Sequence, residues 1–196
     1  MRYVIIVDMQ NDFITGPLGS KEAQEVAKKM VDFIPTLADG KTAVIMTKDT
    51  HDIEDYFSTL EGQKLPVKHC CKFCSGWHLV PEIYDTVIEN KFILPTSNRD
   101  IENGIVYKDT FGSIDLINGI ADFSLFVDNM YPHEFMIMGV CTDICVISNA
   151  MLLKAMFPDV PIKIMAEYCA GVTPERHENA LKAMEYCHMD IIRKEN

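Results

Sequence analysis

Short apolar runs with strand character alternate with segments of helical periodicity along most of this chain. Nothing else in the sequence narrows the possible folds as much. Residues 3–7, 42–46, 104–107, 135–140, 161–165 and 190–192 read as strands. Between them, helical spacing covers 21–34, 113–120, 145–157 and 173–187, and Val26, Met30 and Phe33 share one face of the first of these. Ser20 and Ser113 are cap residues, and Thr173-Pro174 pairs a cap with proline at the first helical position. Residues 83–88 fit a further helix, and 92–94 fit either state. The alternation predicts a doubly wound α/β fold, a mostly parallel sheet with helices on both faces in three layers. No repeat, low-complexity tract or interdomain linker interrupts it, so residues 1–196 read as one domain. Residues 49–81 form a polar stretch without periodicity, and loops of that length in compact domains are usually functional or disordered.

Composition narrows the partners. With 48% hydrophobic and 24% charged residues, the chain reads as an ordinary globular protein. No apolar run approaches the ~20 residues of a membrane span. A net charge of −11 argues against nucleic acid and anionic membranes, which need basic patches. The chain enters a strand almost at once, with no signal-peptide pattern, and its seven cysteines are scattered. Both features predict reduced thiols in the cytoplasm rather than a disulfide framework.

Cys145 is the residue with the clearest chemical meaning. The strand 135–140 leads through Cys141-Thr142-Asp143-Ile144 into the helical pattern that starts at Cys145. A thiol there meets free N–H groups and the positive end of the helix dipole, which stabilise a thiolate and an adjoining oxyanion. The same position also suits a small buried cysteine in a helix–sheet contact. In a parallel sheet the ligand crevice lies beyond the carboxyl ends of the strands. Those ends carry Asp8, then Asp49-Thr50-His51, then Lys108-Asp109, then Cys145. Asp8 alone would suit an Asx turn, and Lys108 alone a solvated surface charge. An acid, a lysine, a histidine and a thiol on one edge point to catalysis.

Val7-Asp8-Met9-Gln10-Asn11-Asp12-Phe13, Lys108 after a strand, and Gly139-Val140-Cys141-Thr142-Asp143-Ile144-Cys145-Val146 resemble the isochorismatase-like cysteine hydrolases, which include the nicotinamidases. The resemblance runs nearly end to end. It implies an Asp8–Lys108–Cys145 triad, a cis peptide at Val140–Cys141, and an oxyanion hole from the N–H groups of Cys141 and Cys145. It further implies a divalent metal (zinc, iron or manganese) held by Asp49, His51 and His69, with Glu61 the nearest match to an additional glutamate ligand. Cys71 and Cys74 have half a zinc-site spacing, but there is no second C-x-x-C, so Cys70, Cys71 and Cys74 read as incidental thiols.

The implied partner is a small-molecule amide, and the expected assembly is a homo-oligomer. Phe13 matches an aromatic that contacts substrate and also suits the core. Trp77 either walls the substrate or anchors its loop. Two departures bear on the substrate. Pro66 stands where many nicotinamidases have an aromatic, and Val67-Lys68 replaces the usual pair of prolines. The expected activity is hydrolysis of nicotinamide through a thioester. Another small amide or carbamoyl substrate is the alternative, and a catalytically silent binding protein is a third reading.

Overall fold

The computed structural model describes residues 1–96, 101–126 and 130–193. Among these residues, six strands, β1 (Arg2–Val7), β2 (Thr42–Asp49), β3 (Ile105–Lys108), β4 (Glu134–Val140), β5 (Ile162–Ala170) and β6 (Asp190–Ile192), form one sheet. Its order is β3-β2-β1-β4-β5-β6, and every pairing is parallel. β2 is buried at all eight positions and β1 at all but its first. Continuous burial of that kind is what central parallel strands require.

Among the described residues, seven helices accompany the sheet: α1 (Asn11–Ile14), α2 (Lys21–Phe33), α3 (Leu60–Lys64), α4 (Pro81–Glu89), α5 (Ile114–Phe126), α6 (Ile147–Met156) and α7 (Pro174–Tyr186). α2 buries Ala23, Val26, Ala27, Met30 and Phe33 along one stripe. Its N-terminus is closed by Ser20, whose hydroxyl accepts from the N–H of Ala23 at 3.0 Å. Ser113 and Thr173 cap α5 and α7 in the same way. From β1 the chain winds outward to β2 and β3, then returns to β4 and winds the other way. The winding therefore reverses between β1 and β4, where open α/β sheets form their ligand crevice.

The expected architecture holds, and three local expectations are corrected. The sheet is parallel throughout rather than mostly so. β2 runs on to Asp49, because Lys48 and Asp49 remain paired with β3. The stretch 49–81 is not structureless: it contains short 3₁₀ turns at Tyr56–Ser58 and Ser75–Trp77 as well as α3. Their few residues are too short to produce a periodic apolar face.

Gly139 on β4 packs against Val7 on β1 and has φ +128°. A Cβ there would lie 2.1 Å from the Val7 carbonyl oxygen. Gly139→Ala should therefore destabilise the fold by about 3 kcal/mol or more, from combined backbone strain and overpacking. Urea unfolding of the variant measures this, and a loss below about 0.5 kcal/mol, the range of an inconsequential surface substitution, would contradict it.

Candidate active site

β1 ends at Val7, and Asp8 turns the chain with φ +50°. The left-handed conformation is uncommon for a residue with a side chain and persists where surroundings hold it. Thr47 on β2 provides the hold: its hydroxyl accepts from the Asp8 N–H at 3.1 Å and donates to Asp8 Oδ1 at 2.6 Å. The parallel register of β2 and β3 sets Lys108 beside Asp49. The Lys108 ammonium then lies 2.7 Å from Asp8 Oδ2, 3.3 Å from Asp49 Oδ1 and 3.6 Å from Cys145 Sγ. Lys108 thus touches both other residues of the expected triad, and Asp49 as well.

Cys145 reaches this point differently from the sequence expectation. The helix does not begin at Cys145. Thr142–Val146 forms a π-helical turn, with the Val146 N–H bonded to the Cys141 carbonyl at 3.1 Å, and α6 starts at Ile147. The peptide Val140–Cys141 is cis, as the resemblance implies.

Burial dominates the electrostatics. It raises the Asp8 carboxyl above the usual carboxylate range, against the nearby Lys108 charge. It pushes the Cys145 thiol well above an ordinary cysteine, Lys108 lowers it, and the charges of Asp8 and Asp49 raise it further. For Lys108, burial disfavours the charge, but Asp8, Cys145 and Asp49 outweigh burial and hold the ammonium well above the usual lysine range. One ammonium therefore serves two carboxyl groups and a thiol, and the titrations of these neighbours are linked.

On the other side of Asp49 lies a second cluster. Asp49 Oδ2 is 2.9 Å from His51 Nε2 and 3.3 Å from His69 Nε2, and Glu61 Oε1 is 3.4 Å from His69 Nε2. These four donor atoms lie within 4.8 Å of one another. The His69 ring is oriented by a 2.9 Å hydrogen bond between Nδ1 and the Val67 carbonyl. A carbonyl only accepts, so Nδ1 carries a proton, and Nε2 is the ring atom that faces Asp49 and Glu61. Burial lowers the His69 pKa, but Asp49 and Glu61 outweigh it and push it up to about 10, so the cluster attracts positive charge. Two imidazole nitrogens and two carboxylates fit a divalent ion such as zinc, iron or manganese. Among the described residues this is the one such grouping, and it contains no cysteine. All seven cysteines are free thiols.

A family model described as the isochorismatase domain matches residues 2–196. The chain belongs to the isochorismatase family. Among its relatives in this family, the nicotinamidase/pyrazinamidase of Mycobacterium tuberculosis is 27% identical over 195 residues, covering 98% of each chain. The fold is shared with the nicotinamidase/pyrazinamidase of Bacillus subtilis, at a TM-score of 0.77 and 21% identity, covering 98% of this chain and 99% of that one. It is also shared with the pyrazinamidase of Pyrococcus horikoshii in complex with zinc, at a TM-score of 0.72 and 20% identity, with coverage of 98% and 99%.

In this member of the isochorismatase family both clusters open into one cavity of about 1400 Å³, lined among others by Phe13, Tyr56, Leu65, Cys141, Phe111 and Arg176. Cys145, Asp49, His51, Glu61 and His69 also border it. Phe13 therefore both faces the cavity and packs on His69, with ring centroids 5.4 Å apart. Trp77 does not border the cavity. It stacks on Tyr107 at 5.7 Å, carries the Lys48 ammonium 3.2 Å above its ring, and donates from Nε1 to Thr50 Oγ1 at 2.8 Å. Of its two expected roles it takes that of loop anchor, and the substrate wall is withdrawn. Sequence reasoning also missed Thr47 and Tyr56, since a threonine within an apolar strand and a tyrosine in a polar loop look unremarkable. No helix among the described residues is long and apolar enough to cross a membrane.

Lys108 has a side chain only 1% exposed, and its removal strands two buried carboxylates. Lys108→Met should therefore cost about 3–5 kcal/mol of stability at neutral pH, measured by urea unfolding. A loss under about 1 kcal/mol would show that the carboxylates do not depend on the ammonium.

Proposed function

We propose that this chain is a cysteine-dependent amidohydrolase that converts nicotinamide to nicotinate and ammonia, with residues 1–196 as its catalytic domain. The observation that carries this reading is the contact of one buried ammonium with Asp8, Cys145 and Asp49, which joins a nucleophile, a base and a divalent-ion donor set at one cavity. The relative named nicotinamidase/pyrazinamidase supports the substrate class.

In this mechanism Asp8 takes the thiol proton as sulfur attacks the amide carbonyl, and Lys108 offsets the negative charge of the thiolate. The carbonyl oxygen becomes an oxyanion facing the N–H groups of Cys141 and Cys145. The C–N bond breaks as Asp8 delivers its proton to the departing nitrogen, and ammonia leaves. The acyl group stays on Cys145 as a thioester. Asp8 then removes a proton from water, whose oxygen attacks the thioester carbon. Collapse releases the acid and returns the sulfur to its protonated state. A divalent ion held by Asp49, His51, Glu61 and His69 would supply a Lewis-acidic point for the pyridine nitrogen, fixing the carboxamide against Cys145. Phe13 packs beside that point.

A different small amide or carbamoyl compound is the second reading. It is favoured by Pro66, where an aromatic would pack on the ring, and by a cavity above the usual ~300–1,000 Å³ of ligand pockets.

Ammonia release from nicotinamide should disappear in Cys145→Ala, and more than about 1% residual activity would contradict covalent catalysis. Asp8→Asn should lower turnover at least about 100-fold, the lower end of what general acid–base catalysis contributes. Benzamide, which lacks the ring nitrogen, should be a far poorer substrate than nicotinamide. Equal rates, or no nicotinate from metal-loaded protein, would favour the other small-amide reading.

Protein purified without chelator should carry close to one divalent ion per chain by elemental analysis. His51→Ala and Asp49→Ala should each lose it. Full metal content in both variants would refute the donor set.

A further inference from the structure

Two side chains on the segment after β1 hold backbone at the donors: Gln10 at Asp49 itself, and Asp12 at Cys70, the residue after His69. Gln10 is fully buried. Its Nε2 donates to the carbonyls of Asp49 at 2.8 Å and Trp77 at 2.9 Å, and its Oε1 accepts from the Asp49 N–H at 2.7 Å. Both backbone groups of Asp49 are thus engaged by one side chain. Asp12 Oδ2 accepts from the Cys70 N–H at 2.7 Å, immediately after His69. Cys70 has φ +46°, a left-handed conformation that a residue with a Cβ keeps only when its surroundings impose it. Gly76 makes room for the Asp12 carboxylate, since a Cβ at 76 would lie 2.0 Å from it. The loop is further seated by the Asn11 N–H, which donates to the His78 carbonyl at 2.9 Å.

We infer that Gln10 and Asp12 are positioning residues for the divalent-ion donors. Gln10 sets Asp49, and Asp12 sets His69 through the Cys70 backbone, with Gly76 as the residue that admits Asp12. The inference rests on the reading above that the four donors hold an ion. The segment that presents Asp8 to the thiol therefore also presets the cation site. Neither side chain contacts the donor atoms, so each acts by reducing the freedom of the chain that carries them.

Cobalt(II) titration of the apo-protein, followed by the visible d–d absorption of the bound ion, reads the site without reference to turnover. Asp12→Ala should weaken cobalt binding by about tenfold or more. Asp12→Asn keeps a carbonyl acceptor for the Cys70 N–H and should restore affinity close to wild type. Gly76→Ala, which displaces the carboxylate without removing it, should weaken binding as Asp12→Ala does, and provides the test if Asp12→Ala does not fold. In the apo-proteins, where no ion occupies the site, the rate of Cys145 alkylation should be unchanged in all three. Wild-type cobalt affinity in Asp12→Ala or Gly76→Ala overturns the inference alone, and so does Asp12→Asn binding as weakly as Asp12→Ala. A wild-type protein that takes up no cobalt overturns the ion reading and this inference together.

Discussion

One buried ammonium organises this molecule's chemistry. Lys108 lies among Asp8, Asp49 and Cys145, and each of those groups would be costly to bury in charged form without it. The cation accounts for the otherwise unfavourable pairing of two carboxylates beneath a cavity. It also sets the balance at the thiol, which Lys108 lowers while burial and the two carboxylates raise it. The fold delivers this arrangement through strand register. β1 delivers Asp8, its neighbour β2 delivers Thr47 and Asp49, and β3 sets Lys108 beside Asp49. The turn after β4 brings Cys145 from the other side of the reversal point.

Asp49 links the two halves of the site. One oxygen faces Lys108, and the other faces His51 and His69. Whatever charge occupies the imidazole–carboxylate cluster is therefore felt by the ammonium and, through it, by the thiol. The N–H and carbonyl of Asp49 are themselves held by Gln10, so the orientation of this carboxylate is fixed from the β1 side.

Much of this was legible in the sequence, for physical reasons. Parallel strands buried on both faces must be continuous apolar runs, so β1 and β4 could be read directly. The residues that follow such runs lie at the crevice, which picks out Asp8, Asp49, His51, Lys108 and Cys145 without any contact information. Glu61 and His69 are in a loop with no periodicity, and only the resemblance pointed to them. The unread parts depend on tertiary contact. Trp77 looked equally suited to a substrate wall or an anchor, and the choice is made by Tyr107 and Lys48, which are distant from it in sequence. A single π-helical turn is too short to leave a periodic pattern, so the sequence places the start of α6 two residues early, at Cys145 instead of Ile147. Gly139 looks like any glycine in a strand until Val7 is placed against it.

In the proposed mechanism Asp8 and Cys145 share one proton under the field of Lys108. The most direct test is the pH profile of Cys145 alkylation, read by peptide mass spectrometry, in wild type and in Asp8→Asn. In the wild type the midpoint should lie above that of an ordinary cysteine, because burial and the two carboxylates raise the thiol more than Lys108 lowers it. Asp8→Asn removes one negative charge and keeps the cation, so the midpoint should move down and alkylation at neutral pH should quicken. A midpoint that stays in place or rises in Asp8→Asn would contradict the shared proton.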